Sequence, residues 1–241
     1  MNSAYITGFL VLTVLELVLG IDNIIFVSIV SDRLPADKKS LGRNIGLALA
    51  MILRIALLFA LNWIISLENP ILSLFGFGLS GRDLILLAGG IFLLYKTTIE
   101  IHHKMEGEEE GKKDDDALSL WNGIIQITLL NMVFSFDSIL TAIGLVTDIH
   151  DIQARNIIMI GSVIASMILM MIFSGPIANF VNKHPTVKML ALSFLLMIGI
   201  LLVGEAFHFH VEKGYVYFAM AFSFAVELLN MRMRKKSAKK N

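Results

Sequence analysis

Two ten-residue stretches carry acids and amides where a chain of this kind should hold only hydrocarbon. The first is LELVLGIDNI, residues 15–24, with Glu16, Asp22 and Asn23. The second is LNMVFSFDSI, residues 130–139, with Asn131, Asp137 and Ser138. Set one above the other, they match at Leu15 and Leu130, Val18 and Val133, Asp22 and Asp137, and Ile24 and Ile139. Glu16 then faces Asn131, and Asn23 faces Ser138. The six polar residues offer only oxygen-bearing ligand groups: carboxylates, carboxamides and a hydroxyl. Oxygen ligands suit Mg²⁺, Ca²⁺ and Mn²⁺ and disfavour Cu(I) and Zn²⁺. The chemistry they point to is the holding of a divalent cation.

Helical geometry decides which of these groups can converge. Glu16 and Asn23 lie two turns apart and share a face, as do Asn131 and Ser138. Asp22 and Asp137 sit about 100° around from those neighbours on a regular helix. Convergence of all six therefore requires local unwinding. Gly20 permits that in the first stretch; in the second, Ser135 offers a hydroxyl bond to the backbone instead. Three carboxylates, Glu16, Asp22 and Asp137, exceed the charge of a divalent cation by one. Arg54 can balance the excess, or serve as the partner of a single acid. A competing reading makes Asp22 and Asp137 packing groups, satisfied by Arg54 and by backbone. A carboxylate at a helix centre costs about 2.5–3.5 kcal/mol on insertion scales, which favours function over packing.

The surroundings demand that cost. The chain has 241 residues, 56% of them hydrophobic, with a mean hydropathy of +0.75. Charged residues make up 17%, against about a quarter in soluble domains. They are clustered, leaving long apolar runs, which is the composition of a polytopic membrane protein. The formal net charge is zero, so nothing argues for nucleic acid as a partner. The absence of cysteine excludes disulfides, thiol nucleophiles and thiolate metal sites. The methionines read as packing or lipid-facing residues, with Met167, Met170 and Met171 the only group near the spacing of a thioether site. No nucleotide loop, GxSxG or HExxH motif is present, and the chain is not expected to be an enzyme. Nor is a resident cofactor expected; a divalent cation such as Mn²⁺ would be the substrate.

A spanning helix needs about 20 apolar residues. The pattern predicts an all-α membrane protein with seven transmembrane helices near 6–30, 41–66, 83–101, 119–147, 154–181, 187–206 and 214–231. The N-terminus lacks the basic segment and cleavage site of a signal peptide and is read as the first span. Residues 67–82, broken by Pro70, Gly76, Gly78 and Gly81, read as an interfacial or re-entrant loop. Repetition extends beyond the acidic stretches, because Arg43-Asn44-Ile45 returns as Arg155-Asn156-Ile157. The expected organisation is a three-helix repeat over 1–101, a charged cytoplasmic linker over 102–118 and a second, inverted three-helix repeat over 119–211. A seventh helix over 212–231 and a basic tail over 232–241 complete it.

Lysine and arginine set the orientation. Arg33, Lys38, Lys39 and Arg43, then Lys96, Lys104, Lys112 and Lys113, then Lys183 and Lys188, and finally the tail, fall on one side. The other side holds only Arg82, Arg155 and Lys213. This places the C-terminus in the cytoplasm and the N-terminus outside. Near the outer ends, Glu205, His208 and His210 read first as interfacial residues, with an outer exit site for a metal as the alternative. Glu227, in the last helix, reads equally as a functional acid or as a snorkelling one.

At these residues the chain resembles the TerC family of integral membrane proteins. The likeness rests on LELVLGIDNIIF with RLP (33–35), GGIFLLYK (89–96), IHHKMEGEEEG (101–111) and FSFDSILTAIGL (134–145). It continues in HPTVKMLALSFL (184–195) and KGYVYFAMAFSFAVELLN (213–230). The resemblance implies a stand-alone member of an inner-membrane branch, and a fold similar to the lysine-exporter superfamily: seven helices in two inverted repeats. It also implies a link to manganese efflux, to metal delivery to exported enzymes, and to tellurium resistance. Asp22 with Asn23 matches the family's first acidic motif, and Asp137 with Ser138 its second. Related sequences often read Leu-Asp where this chain has Leu130-Asn131, and Ser-Ile-Pro where it has Ser138-Ile139-Leu140.

The expectation that follows is export of a divalent cation, Mn²⁺ above all, by alternating access. Asp22 and Asp137 would be direct ligands, completed by Glu16, Asn23, Asn131 and Ser138. Export against an inside-negative potential is uphill by about 2.3 kcal/mol per charge per 100 mV, so proton coupling is expected, with Glu16 as the carrier. The rival expectations are transport of an amino acid or oxyanion, and a scaffold that metallates partner proteins without moving anything. The lipid bilayer and the cation are the expected partners, with a second copy or membrane proteins as further ones.

Overall fold

The computed structural model describes residues 2–60, 70–74, 77–106, 118–145, 151–209 and 212–238. The side chains of Asp22 and Asp137, the stretch 107–117 of the linker, Trp63 and His210 lie outside the described residues.

Among the described residues, eight helices and one hairpin follow in order: α1 (Asn2–Leu19), α2 (Ile21–Asp32), α3 (Lys39–Phe59), β1 (Pro70–Leu74), β2 (Phe77–Ser80), α4 (Gly81–Glu106), α5 (Leu120–Leu145), α6 (Ile152–Lys183), α7 (Pro185–Ala206) and α8 (Lys213–Ala238). Five of them, α3, α4, α6, α7 and α8, are long and apolar enough among the described residues to cross a membrane. The bent pair α1–α2 makes six if counted as one span. Of α5, the apolar stretch Leu120–Ser135 falls short of a span on the same test.

Three details refine the expected elements. The helix expected over 6–30 is two helices, broken at Gly20 and bent by 44°. The segment 67–82 contains an antiparallel hairpin rather than a plain loop, with Pro70 opposite Ser80 and Leu74 opposite Phe77. Proline is tolerated there because it is the first residue of its strand, where the missing donor is not needed. The basic tail expected from 232 continues α8 as helix through Ala238.

Local signals explain the boundaries. Ser80 and Asp83 form a capping box at the start of α4: the Asp83 amide donates to Ser80 Oγ at 3.1 Å, and the Ser80 amide donates to Asp83 Oδ2 at 2.8 Å. Asp151 caps α6, accepting from the amides of Gln153 and Ala154. Pro185 opens α7 at a position that has no helical donor to lose.

Packing follows the apolar faces. α4 runs along α7, α3 along α5, and the pair α1–α2 along α6. Smaller contacts join α3 to α6, α2 to α5, α4 to α5 and α2 to α7. The core at their junction holds Val27, Leu47, Leu86, Ile127, Met167 and Leu192. Met167 and Met170 are thus packing residues, and Met170 lies against the break, where a Cβ on Gly20 would meet its sulfur at 2.7 Å. α8 packs mainly against α7, with Phe224 also edge-on to Phe180 of α6, and exposes Phe218, Phe222 and Leu229.

Candidate functional site

Four of the six paired polar residues of the two acidic stretches lie among the described side chains, and all four are buried. Glu16 is 2% exposed, Asn23 4%, Asn131 2% and Ser138 4%. Arg54 of α3 is 3% exposed. Its Nη2 donates to Glu16 Oε2 on α1 and to Ser138 Oγ on α5. One guanidinium nitrogen thereby joins the two acidic stretches. Among the described residues, Glu16 is its acidic partner.

The neighbouring hydroxyls explain how α5 accommodates this. Ser135 Oγ donates to the Asn131 carbonyl at 2.6 Å, and Ser138 Oγ donates to the Ser135 carbonyl at 3.2 Å. Ser138 has then given its single proton to the backbone, and its lone pairs are free to accept from Arg54. Asn131 Nδ2 donates to the Ile127 carbonyl at 2.9 Å. Its side-chain amide group is thus turned to its own helix, while Glu16, its counterpart in the first stretch, reaches across to α3. The break at Gly20 lies one turn beyond Glu16, where the first stretch was expected to unwind. α5, by contrast, is helical from Leu120 to Leu145.

The comparisons with known proteins fit this arrangement. The family model described as "Integral membrane protein TerC family" matches residues 1–241, the whole chain. The chain belongs to the TerC family. It is 48% identical over 226 residues to the UPF0053 inner membrane protein YgdQ of Escherichia coli K12, covering 94% of this chain and 92% of the relative. It is 42% identical over 236 residues to the UPF0053 inner membrane protein YoaE of the same strain, covering 98% of this chain but 44% of that longer relative. A UPF0053 protein of Buchnera aphidicola subsp. Schizaphis graminum is 48% identical over 228 residues. No solved structure matches.

In this TerC chain further charges gather at the two ends of the bundle. At one end Lys188 Nζ of α7 lies 2.7 Å from Asp32 Oδ2 of α2, and Lys39 Nζ 2.8 Å from Asp32 Oδ1. Arg33 lies 3.4 Å from Glu100 of α4. At the other end Arg82 pairs with Glu205 at 2.5 Å, and His208 with Asp83 at 3.1 Å. The exit site held as the alternative for Glu205, His208 and His210 is therefore built otherwise. Glu205 and His208 hold two different partners on α4, and His210 lies outside the described residues. Glu227 is half-buried, and its Oε1 has no hydrogen-bond partner among the described residues. Among those residues no three His, Asp or Glu side chains converge as a metal site would require.

Sequence reasoning missed two features. The Asp32–Lys188 contact joins residues 156 positions apart; Lys188 was read only as part of a loop's charge, and Asp32 was not singled out. The other lies in α4 and α7, where Leu86, Leu87, Gly90, Ile91 and Leu93 match Leu195, Leu196, Gly199, Ile200 and Leu202 at constant spacing. Gly90 and Gly199 pack against each other's helices, which gives the match a physical reason.

Proposed function

We propose that this protein is a transporter of a divalent metal cation, Mn²⁺ first among the candidates, working by alternating access between two inverted three-helix repeats. The observation that carries the reading is the joining of Glu16 and Ser138, one from each acidic stretch, at a single buried guanidinium beside a large apolar core. Buried ionisable groups in a membrane protein mark a pathway by default. Asp22 and Asp137, in the same two stretches, are the proposed direct ligands, and Glu16, Asn23, Asn131 and Ser138 the supporting ones. Manganese is favoured by the all-oxygen ligand set and by the family resemblance.

The helix contacts support the repeat. A two-fold axis relating the halves exchanges α1–α2 with α5, α3 with α6, and α4 with α7. It turns the contact of α1–α2 on α6 into that of α5 on α3, and the contact of α4 on α5 into that of α7 on α2; all four are present. The pairs α4–α7, α3–α6 and α2–α5 map onto themselves and are present too. The GGI and IGI matches in α4 and α7 add a third segment to the two already read in sequence. Sites near the midplane at such an interface are the rule for transporters built this way. In this reading the chain lies in a bacterial cytoplasmic membrane, N-terminus outside, with the Asp32–Lys188 end in the cytoplasm. An anion substrate is disfavoured because Arg54, the buried cation at the junction, is already paired with Glu16.

The test is Mn²⁺ flux in proteoliposomes. Asp22→Asn and Asp137→Asn are each expected to abolish transport while leaving the protein folded. Undiminished flux in both variants would refute the reading.

A further inference from the structure

A transported cation and Arg54 compete for the same atoms. Glu16 of α1 and Ser138 of α5 are two of the oxygen donors that the acidic stretches offer, and both are taken by Nη2 of Arg54. An N–H donor and a metal ion seek the same oxygen lone pairs, and a carboxylate oxygen coordinating a metal closely leaves little room for a guanidinium. Arg54 is buried, so it cannot retreat to bulk water without opening the bundle. Its Nε makes no hydrogen bond among the described residues, so the group is not locked along its whole length.

The repeat makes the arrangement one-sided. The spacing that aligns Arg43 with Arg155 aligns Arg54 with Ser166 of α6. Ser166 is fully buried, and its hydroxyl is bound to the Val163 carbonyl at 3.0 Å. Glu16 likewise faces a neutral Asn131. A charged pair stands in the first half where the second has two neutral residues, so the pair is an addition to the shared scaffold and not a requirement of it.

Resting on the transport reading above, we propose that Arg54 is a tethered stand-in for the transported cation. When the site is empty, the guanidinium closes Glu16 against Ser138 and joins the two halves. When a divalent cation enters, it displaces the guanidinium from one or both oxygens. Arg54 then spares the emptied carrier an uncompensated buried carboxylate, which low-dielectric surroundings penalise heavily. The return of the empty carrier is the step this residue serves; movement of the loaded carrier depends on it less.

The experiment compares two fluxes in phosphatidylethanolamine–phosphatidylglycerol liposomes: net Mn²⁺ movement, which needs the empty carrier to return, and Mn²⁺/Mn²⁺ exchange, which does not. Arg54→Gln is expected to lower the ratio of net flux to exchange about tenfold, and to lower the Mn²⁺ concentration that half-saturates exchange, because the internal competitor is gone. Arg54→Lys keeps the charge but loses the planar fork, and its ratio falls less, by about threefold. It also carries the test if the glutamine variant does not fold. A purely structural arginine would depress both fluxes together and weaken half-saturation; that result, or an unchanged ratio in the folded variants, overturns the proposal. Wild-type liposomes with neither flux nor exchange would instead refute the transport reading, and this inference with it.

Discussion

Lys188 Nζ sits 2.7 Å from Asp32 Oδ2 and ties the start of α7 to the end of α2. Asp32 also holds Lys39 of α3, so one carboxylate gathers three helices at this end of the bundle. Lys188 is the more buried member, its side chain 9% exposed against 24% for Asp32. Asp32→Asn leaves two lysines without their shared partner, whereas Lys188→Met removes a charge and leaves Asp32 with Lys39. Thermal unfolding in detergent should therefore show a larger loss for Asp32→Asn, about 2 kcal/mol, than for Lys188→Met, about 1 kcal/mol after allowance for partial exposure. Lys188 Nζ also lies 3.9 Å from Glu100 Oε1, and a greater loss for Lys188→Met would show that this second contact outweighs the one to Asp32.

Close backbone approach sets the second prediction. A Cβ on Gly90 would lie 3.0 Å from the Gly199 carbonyl oxygen and 2.8 Å from Val203. The obstacle includes backbone, so α4 and α7 must separate to admit it. Gly90→Ala is expected to cost about 1–3 kcal/mol, the range for overpacking, despite the better helix propensity of alanine. Gly214 of α8 is the control, since a Cβ there meets nothing within 4 Å. Gly214→Ala should leave the melting temperature unchanged or raise it. Equal behaviour of the two variants would mean that the α4–α7 contact is looser in solution.

The capping box at the start of α4 carries the third. Asp83 is 5% exposed at its side chain and bonds both the amide and the hydroxyl of Ser80. Asp83→Ala should destabilise by about 1–2 kcal/mol through the lost cap. His208, its other partner, is exposed and has a φ of 63°. A left-handed backbone favours glycine there. His208→Gly should thus be near neutral, the lost contact offset by relief at the backbone, and Asp83→Ala should remain the worse of the two in the same melt.

What the sequence disclosed, and what it did not, follows from the range of each interaction. The acids of 15–24 and 130–139 stood out because helical spacing is local and lipid makes a carboxylate conspicuous. The break at Gly20 was legible for the same reason. The grip of Arg54 on Glu16 and Ser138 was not, since it depends on how three helices meet, and periodicity along one helix says nothing of its partner's rotation. The hairpin was hidden because its strands, five and four residues long, are too short to show alternation. The relation of α4 to α7 was present in the letters, but a few leucines and a glycine are common in any apolar helix. Packing of Gly90 against Gly199 is what sets that match apart.

The buried pair itself gives the last prediction. Removing one member of a buried ion pair leaves an uncompensated charge and costs about 3–5 kcal/mol, whereas replacing both by neutral groups of similar size is often tolerated. Glu16→Gln should strand Arg54, and Arg54→Met should strand Glu16, with reduced yield and lower melting temperature in each. The double variant Glu16→Gln/Arg54→Met should recover much of that loss, so the two changes are strongly non-additive in a double-mutant cycle. Ser138→Ala should cost less than either single change, about 1 kcal/mol, because it removes a neutral acceptor and leaves the ion pair. Additive losses would show that Glu16 and Arg54 do not depend on each other. A stable double variant that has lost Mn²⁺ transport would separate the pair's part in function from its part in folding.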